Sequence, residues 1–301
     1  MFIWGSPIVR RFHGRLYVYY HPGDLLGVYR VDKGELLIPS ALIDLARNWK
    51  IKRNTEDVRW PSCQPAQSRW LWTDTNGDGK MQPDEFENQP DMIDEVEFIS
   101  GSWVDSVGNI WLCGSSKGIR GLWFLPIQKF DASGNPVYTL SSLRRLPLPK
   151  EFKQVERLVY QKESDAMYVA GETILLPKVP HFGSIGTEVI RYDHWSNPAP
   201  EIRWRIQLPN DPALPQAYFP AFTVSGDKVF CMMRRLAVIY TYDAHSGQLL
   251  GHLTPGPAVG SKSGWCDMEN GVTAYTRSDG HTLVFAEDDL RSRIIAYDVN
   301  P

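Results

Sequence analysis

Twelve residues, Asp74 to Glu85, hold the clearest chemical pattern in this 301-residue chain. In DTNGDGKMQPDE, oxygen-bearing side chains stand at positions one, three and five: Asp74, Asn76 and Asp78. Gly79 is sixth, Lys80 seventh, Gln82 ninth and Glu85 twelfth. A hard cation needs about six to eight oxygens at roughly 2.3–2.6 Å, and a chain coiled tightly around it turns alternate side chains inward. Gly79 permits the sharp turn because it has no Cβ. Position seven gives only its carbonyl, so Lys80 is acceptable there. Glu85 would close the shell with both oxygens. The plainer alternative is a polar Asp/Asn/Gly turn that holds no ion.

The spacing resembles the EF-hand calcium loop, with Met81 as the apolar residue at position eight. The metal site read from it is Asp74, Asn76, Asp78, Lys80, Gln82 and Glu85, with calcium as the cofactor. The flanks differ from an ordinary EF-hand. SRWLWT (68–73) alternates and is aromatic, so it is predicted to be a strand. Pro83 to Phe86 opens with proline at a first helical position and is predicted to be a short helix, ended before Pro90. Without two long helices there is no groove to open, so the loop is expected to act as a structural brace.

Other residues could do chemistry. His13, His21, Asp105, His181, His194, His245 and His281 lie at or near predicted turns. Set around a channel mouth they could bind a catalytic metal, although nothing resembles HExxH. Lone turn histidines are more often surface or hydrogen-bonded residues. Glu287, Asp288 and Asp289 could be paired carboxylates for acid–base work, or a solvated turn balanced by Arg291 and Arg293. Asp105 suits local turn bonding. Trp70, Trp72, Trp103, Trp111 and Trp123 offer either a sugar-stacking platform or core packing. GSSKG (114–118) lacks the full phosphate-loop spacing and is read as a loop.

The elements that must position these residues repeat. An apolar run ending in an aromatic, then an Asp-containing turn, recurs with markers Tyr29, Phe130, Tyr192, Tyr242 and Tyr297. Upstream, 102–114, 221–233 and 272–288 each show two apolar runs around a Gly-containing turn, the hairpin pattern. Four-stranded units recurring at about fifty residues mean propeller blades. VDSVGNIWLCG with IQKFDASGNPVY, and EDDLRSRIIAYD, resemble blades of NHL-repeat-like six-bladed propellers. With the calcium loop ahead of them, they are similar to propellers in large exported bacterial polypeptides.

The expected fold is all-β, a single six-bladed β-propeller of four-stranded antiparallel blades with the calcium loop in blade two. The blades fall at about 7–43, 44–99, 100–148, 150–208, 217–254 and 264–301, with an insertion near 171–186 in the fourth. The last blade ends after its third strand, and residues 1–6 are expected to supply the missing one.

Composition sets the outer limits. The chain is 43% hydrophobic and 22% charged, ordinary for a globular protein, and its 24 Gly, 22 Pro and 11 Trp fit short strands and turns. A net charge of −3 without a basic stripe argues against nucleic acid as partner. No segment has the apolar length of a membrane span. Cys63, Cys113, Cys231 and Cys266 have no CxxC spacing, and pairing among them stays open. MFIWGSPIVRR does not follow the signal-peptide pattern. A fixed calcium brace suits a calcium-rich compartment, so an extracellular or periplasmic location is expected, the chain being mature or a domain of a larger polypeptide. A cytoplasmic protein is the alternative. The leading functional reading is a calcium-stabilised binding or scaffold domain for a carbohydrate or protein partner. The alternative is a metal-dependent hydrolase or lyase of the gluconolactonase or NHL-lyase type, acting at the channel.

Overall fold

A computed structural model describes residues 7–21, 25–32, 36–44, 63–65, 69–89, 96, 98–116, 119–176, 183–209, 218–234, 238–260, 266 and 271–300. The chain is all-β and divides into two compact units, Pro7–Leu148 and Pro149 onward.

The first unit opens with β1 (Ile8–Phe12), β2 (Arg15–Tyr20), β3 (Leu25–Val31) and β4 (Leu37–Asp44), an antiparallel meander. Two further strands, β5 (Trp70–Thr73) and β6 (Phe86–Asn88), continue the same sheet beyond β4. Its second sheet runs in the order β12-β9-β8-β7, from β7 (Phe98–Val104), β8 (Ile110–Ser116), β9 (Ile119–Leu125) and β12 (Arg144–Leu146). A small hairpin, β10 (Lys129–Phe130) with β11 (Pro136–Val137), precedes β12.

The second unit has two four-stranded meanders and one of three strands. They are β13 (Phe152–Gln161), β14 (Ala166–Thr173), β15 (Glu188–Asp193) and β16 (Glu201–Gln207); β17 (Ala221–Ser225), β18 (Lys228–Met233), β19 (Val238–Asp243) and β20 (Leu249–Leu253); and β21 (Val272–Thr276), β22 (Thr282–Asp288) and β23 (Arg293–Val299).

Within each unit the first strands of successive sheets are neighbours: β1 beside β7, β13 beside β17, and β17 beside β21. Antiparallel sheets that follow one another in this way are blades in a propeller-type arrangement. The burial pattern explains the sequence. The second strands β8, β14 and β18 are buried on both faces, so IWLCG, AMYVA and KVFCMM are nearly continuous apolar runs. The outer strand β16 alternates, with Trp204 and Ile206 inward and its charged residues outward.

One expectation needs correction. The described residues form five blade sheets, not six. The segment predicted as blade two, where it is described, supplies β5 and β6, and these pair onto the first blade with Ala41 opposite Thr73 and Asp44 opposite Trp70. A four-residue strand with Trp70 and Trp72 fully buried finds its partners most readily along the existing edge of β4. Residues 45–62 of that segment lie outside the described residues, as do residues 1–6, predicted to close the last blade. The insertion predicted near 171–186 is the connection from β14 to β15.

The first unit's core holds a proton-ordered pair of phenols. Tyr138 donates to the Gly108 carbonyl at 2.6 Å, so Tyr19 must be the donor in the 3.0 Å contact between the two hydroxyls. Burial pushes both phenols up, as it does Tyr192 and Tyr242 in the second unit. Tyr297 is pushed up to about 12, by burial first and the Asp288 charge second. The folded state therefore favours neutral phenols, while unfolded tyrosine ionises near ~10. Stability should hold below about pH 10 and fall as pH rises toward 12 and beyond. Absorbance at 295 nm followed with circular dichroism should show part of the 13 tyrosines ionising only as the protein unfolds. Complete ionisation with the fold intact would contradict this.

Candidate metal centre

Asp74 follows β5, whose edge pairing fixes it: its amide donates to the Ser40 carbonyl at 3.0 Å. The loop then turns on two left-handed glycines, Gly77 (φ +82°) and Gly79 (φ +72°). A Cβ on Gly79 would lie 2.8 Å from Ile38 Cγ2, so this turn and its seat against β4 both need glycine. Between them run two bonds of the Asx-turn type. Asn76 Oδ1 accepts from the Asp78 amide at 2.9 Å, and Asp78 Oδ1 accepts from the Lys80 amide at 2.8 Å. The exit is tighter than the predicted helix. It is a single 3₁₀ turn, Pro83–Glu85, that passes directly into β6.

The acidic groups are held separately. Glu85 Oε1 accepts from the Thr75 amide (2.9 Å) and hydroxyl (3.1 Å). Glu85 Oε2 accepts from Trp72 Nε1 (2.8 Å) and the Gln82 amide (3.2 Å). Asp78 Oδ2 accepts from Gln82 Nε2 at 2.9 Å. Asp74 is completely buried, and its Oδ2 accepts from Arg30 Nη1 at 2.6 Å. Among the described residues its buried Oδ1 has no hydrogen-bond partner, and neither has Gln82 Oε1. Among the described residues no three His, Cys, Asp or Glu side chains converge as a ligating group.

The donor that sequence reasoning missed is Arg30. It is 3% exposed on β3, and it also donates to Asn135 Oδ1 (2.6 Å), the Gly77 carbonyl (2.7 Å) and Asp32 Oδ2 (3.3 Å). Burial opposes its charge, but the Asp74 and Asp32 carboxylates overcome this and hold its pKa above the usual arginine value. Asn135 completes the tie by donating to the Asp74 carbonyl at 2.5 Å. The second unit has a matching arrangement. Arg191 on β15 pairs with Asp193 two residues on and donates to the Ala244 carbonyl, each bond 2.7 Å or shorter. In both cases a third-strand arginine reaches a turn that opens Asp-Ala beyond its own sheet, 131–135 between β10 and β11 or 243–247 between β19 and β20. The recurring R-x-D beside the repeat's aromatic marker was the available signal.

His13 and His194 sit at turns with left-handed backbone. His21 is buried, His245 is exposed, and His281 pairs with Asp298 at 2.9 Å. His181 lies outside the described residues. Asp105 serves its own turn: Oδ1 accepts from the Val107, Gly108 and Asn109 amides, and Oδ2 from Trp111 Nε1. Asp288 is completely buried and paired with Arg293 at 2.9 Å, so it is not the solvated turn residue expected. Trp70, Trp72, Trp111 and Trp123 are packed inside, and half-buried Trp103 lies under Arg10 at 4.5 Å. Gly114 to Ser116 of GSSKG end β8. None of the four cysteines is in a disulfide, and Cys63 is partly exposed.

No protein-family model and no curated protein matches the chain. Among solved structures it is similar to apo AztD from Citrobacter koseri, at 14% identity over 97% of this chain and 69% of that one, with a TM-score of 0.43. It is also similar to Kuenenia stuttgartiensis hydrazine synthase, at 12% identity over 95% of this chain and 80% of that one, with a TM-score of 0.46. Both likenesses are distant, and the functional reading below rests on neither.

Proposed function

We propose that the chain is a calcium-braced binding domain of an exported protein, its blades serving a carbohydrate or protein partner. The ion would be held by Asp74, Asn76, Asp78 and Glu85 through side-chain oxygens, with Lys80 giving its carbonyl and Gln82 standing at the ninth position. One observation carries this reading: Asp74 Oδ1 is a fully buried carboxylate oxygen without a partner among the described residues. An unsatisfied buried acceptor is costly, and a hard cation is the group that this donor set suits. The orphaned Gln82 Oε1 and the left-handed glycines support it. Glu85 would join the ion only by giving up loop donors such as the Thr75 amide. Because the loop is an extension of the first blade, the role that fits it is rigidity of that blade.

Calcium titration calorimetry with thermal unfolding tests this. A ligand that binds only the folded state at a hundredfold excess over Kd adds about 2.7 kcal/mol. The melting temperature should therefore rise by several degrees in calcium and return with chelator. A flat isotherm with an unchanged melting temperature would overturn the proposal.

A further inference from the structure

At the end of the β1–β2 hairpin, in the first unit, lies a solvent-open cavity of about 460 Å³. Arg11, His13, Arg15, Leu16, Val31 and Asp32 line it. Among the described residues Asp32 is the lone carboxylate of this lining, and it is already shared. Arg30 Nε donates to its Oδ2 at 3.3 Å, and Arg15 Nε stands 3.8 Å from its Oδ1. Arg30 is in turn paired with Asp74. Arg11 makes one hydrogen bond, from Nη1 to the Gly14 carbonyl at 2.9 Å, and no ion pair among the described residues. The described lining therefore carries cationic charge in excess of its single acid.

The scaffold around it is stiff. The hairpin turns in two residues, His13 and Gly14, both left-handed, with Phe12 opposite Arg15. The His13 ring stands edge-on to Phe130, with centroids 5.1 Å apart. Arg15 is tethered by Nη1 to the Ser133 carbonyl at 2.7 Å. Leu16 and Val31 add half-buried apolar wall between these polar groups.

From this we infer a binding site for a carboxylate-bearing sugar, a uronate unit. The inference rests on the binding-domain reading above and names its ligand class. Arginine receives a carboxylate through two parallel hydrogen bonds. The C–H face of a sugar ring suits Leu16 and Val31, and an open mouth admits a unit of a longer chain.

The test uses the full chain and three probes: a glucuronate-containing disaccharide, a neutral glucose disaccharide and inorganic phosphate. Binding of the acidic disaccharide should exceed that of the neutral one. It should weaken about tenfold in Arg11→Gln, the loss of one charge-assisted pair, and also weaken with added salt. Arg11 makes only a local bond, so the melting temperature should not move; Arg145→Gln, outside the cavity, serves as control. Phosphate competing with the disaccharide supports the site. Phosphate binding without disaccharide binding, or equal affinities in wild type and Arg11→Gln, overturns the inference. Calcium is titrated on the same samples: calcium uptake without uronate binding refutes only this site, and uronate binding without calcium uptake refutes only the brace.

Discussion

Asp74→Ala should abolish calcium uptake and destabilise the first unit by about 3–5 kcal/mol, the cost of breaking a buried ion pair from one side. The size follows from what remains. Arg30 would stay buried with its charge, keeping Asn135 Oδ1 and the Gly77 carbonyl as neutral partners. Asp32 stays 3.3 Å away but is 38% exposed, so it compensates only in part. The double variant Arg30→Met with Asp74→Leu separates the two roles. Replacing a buried pair by apolar side chains is often neutral or better. Denaturant unfolding should therefore show most of the stability regained while the calcium isotherm stays flat. Full calcium uptake by Asp74→Ala would refute the site, and an unchanged unfolding midpoint would refute the importance of the Arg30 pair.

The second large effect lies in the other unit, where three backbone segments meet without side chains between them. Gly186, before β15, has φ +101°, and a Cβ there would fall 2.1 Å from the carbonyl carbon of Gly171. A Cβ on Gly171 would fall 2.0 Å from the Gln154 carbonyl oxygen, beside the irregular register of β13. Thr187 fastens this stack by donating its amide to the Gly171 carbonyl at 2.8 Å. Gly186→Ala combines left-handed strain with overpacking against backbone that cannot rotate away, for about 3–5 kcal/mol. That is a large share of the about 5–15 kcal/mol that keeps a domain folded. Gly256→Ala, with open space around it and no left-handed angle, should change stability by less than about 0.5 kcal/mol. Urea midpoints for the two variants decide this; equal midpoints would overturn it.

Much of the architecture was legible because it rests on local signals. Hairpins such as 102–114 and 221–233 are marked by alternation and turn residues, and their strands form where expected. The strand entering the 74–85 loop was legible for the same reason. The blade count was not. Aromatic spacing marks units of sequence, but it does not say which edge a short strand will join, and β5 joined β4. The site was half legible. The spacing of Asp74, Asn76, Asp78 and Glu85 is local, whereas Arg30 approaches Asp74 across 44 positions. Such a pairing is decided by the register of β3, β4 and β5 together. The cavity at Arg11 and Arg15 was missed for a similar reason, since its charge excess emerges only after Asp32 and Asp74 are assigned to their partners.

The paired reaches of Arg30 and Arg191 also bear on how such a chain can be recombined. Each arginine belongs to one sheet, and its acceptor lies in a turn beyond that sheet, Asn135 between β10 and β11 in one unit and Ala244 between β19 and β20 in the other. A chimera that swaps one complete sheet for a foreign one would bring a donor and discard an acceptor. The transplantable segment is therefore out of phase with the folding one. It runs from the third strand of one sheet through the turn that receives its arginine, 131–135 or 243–247, and cut points placed inside that span would sever the joint they were meant to preserve.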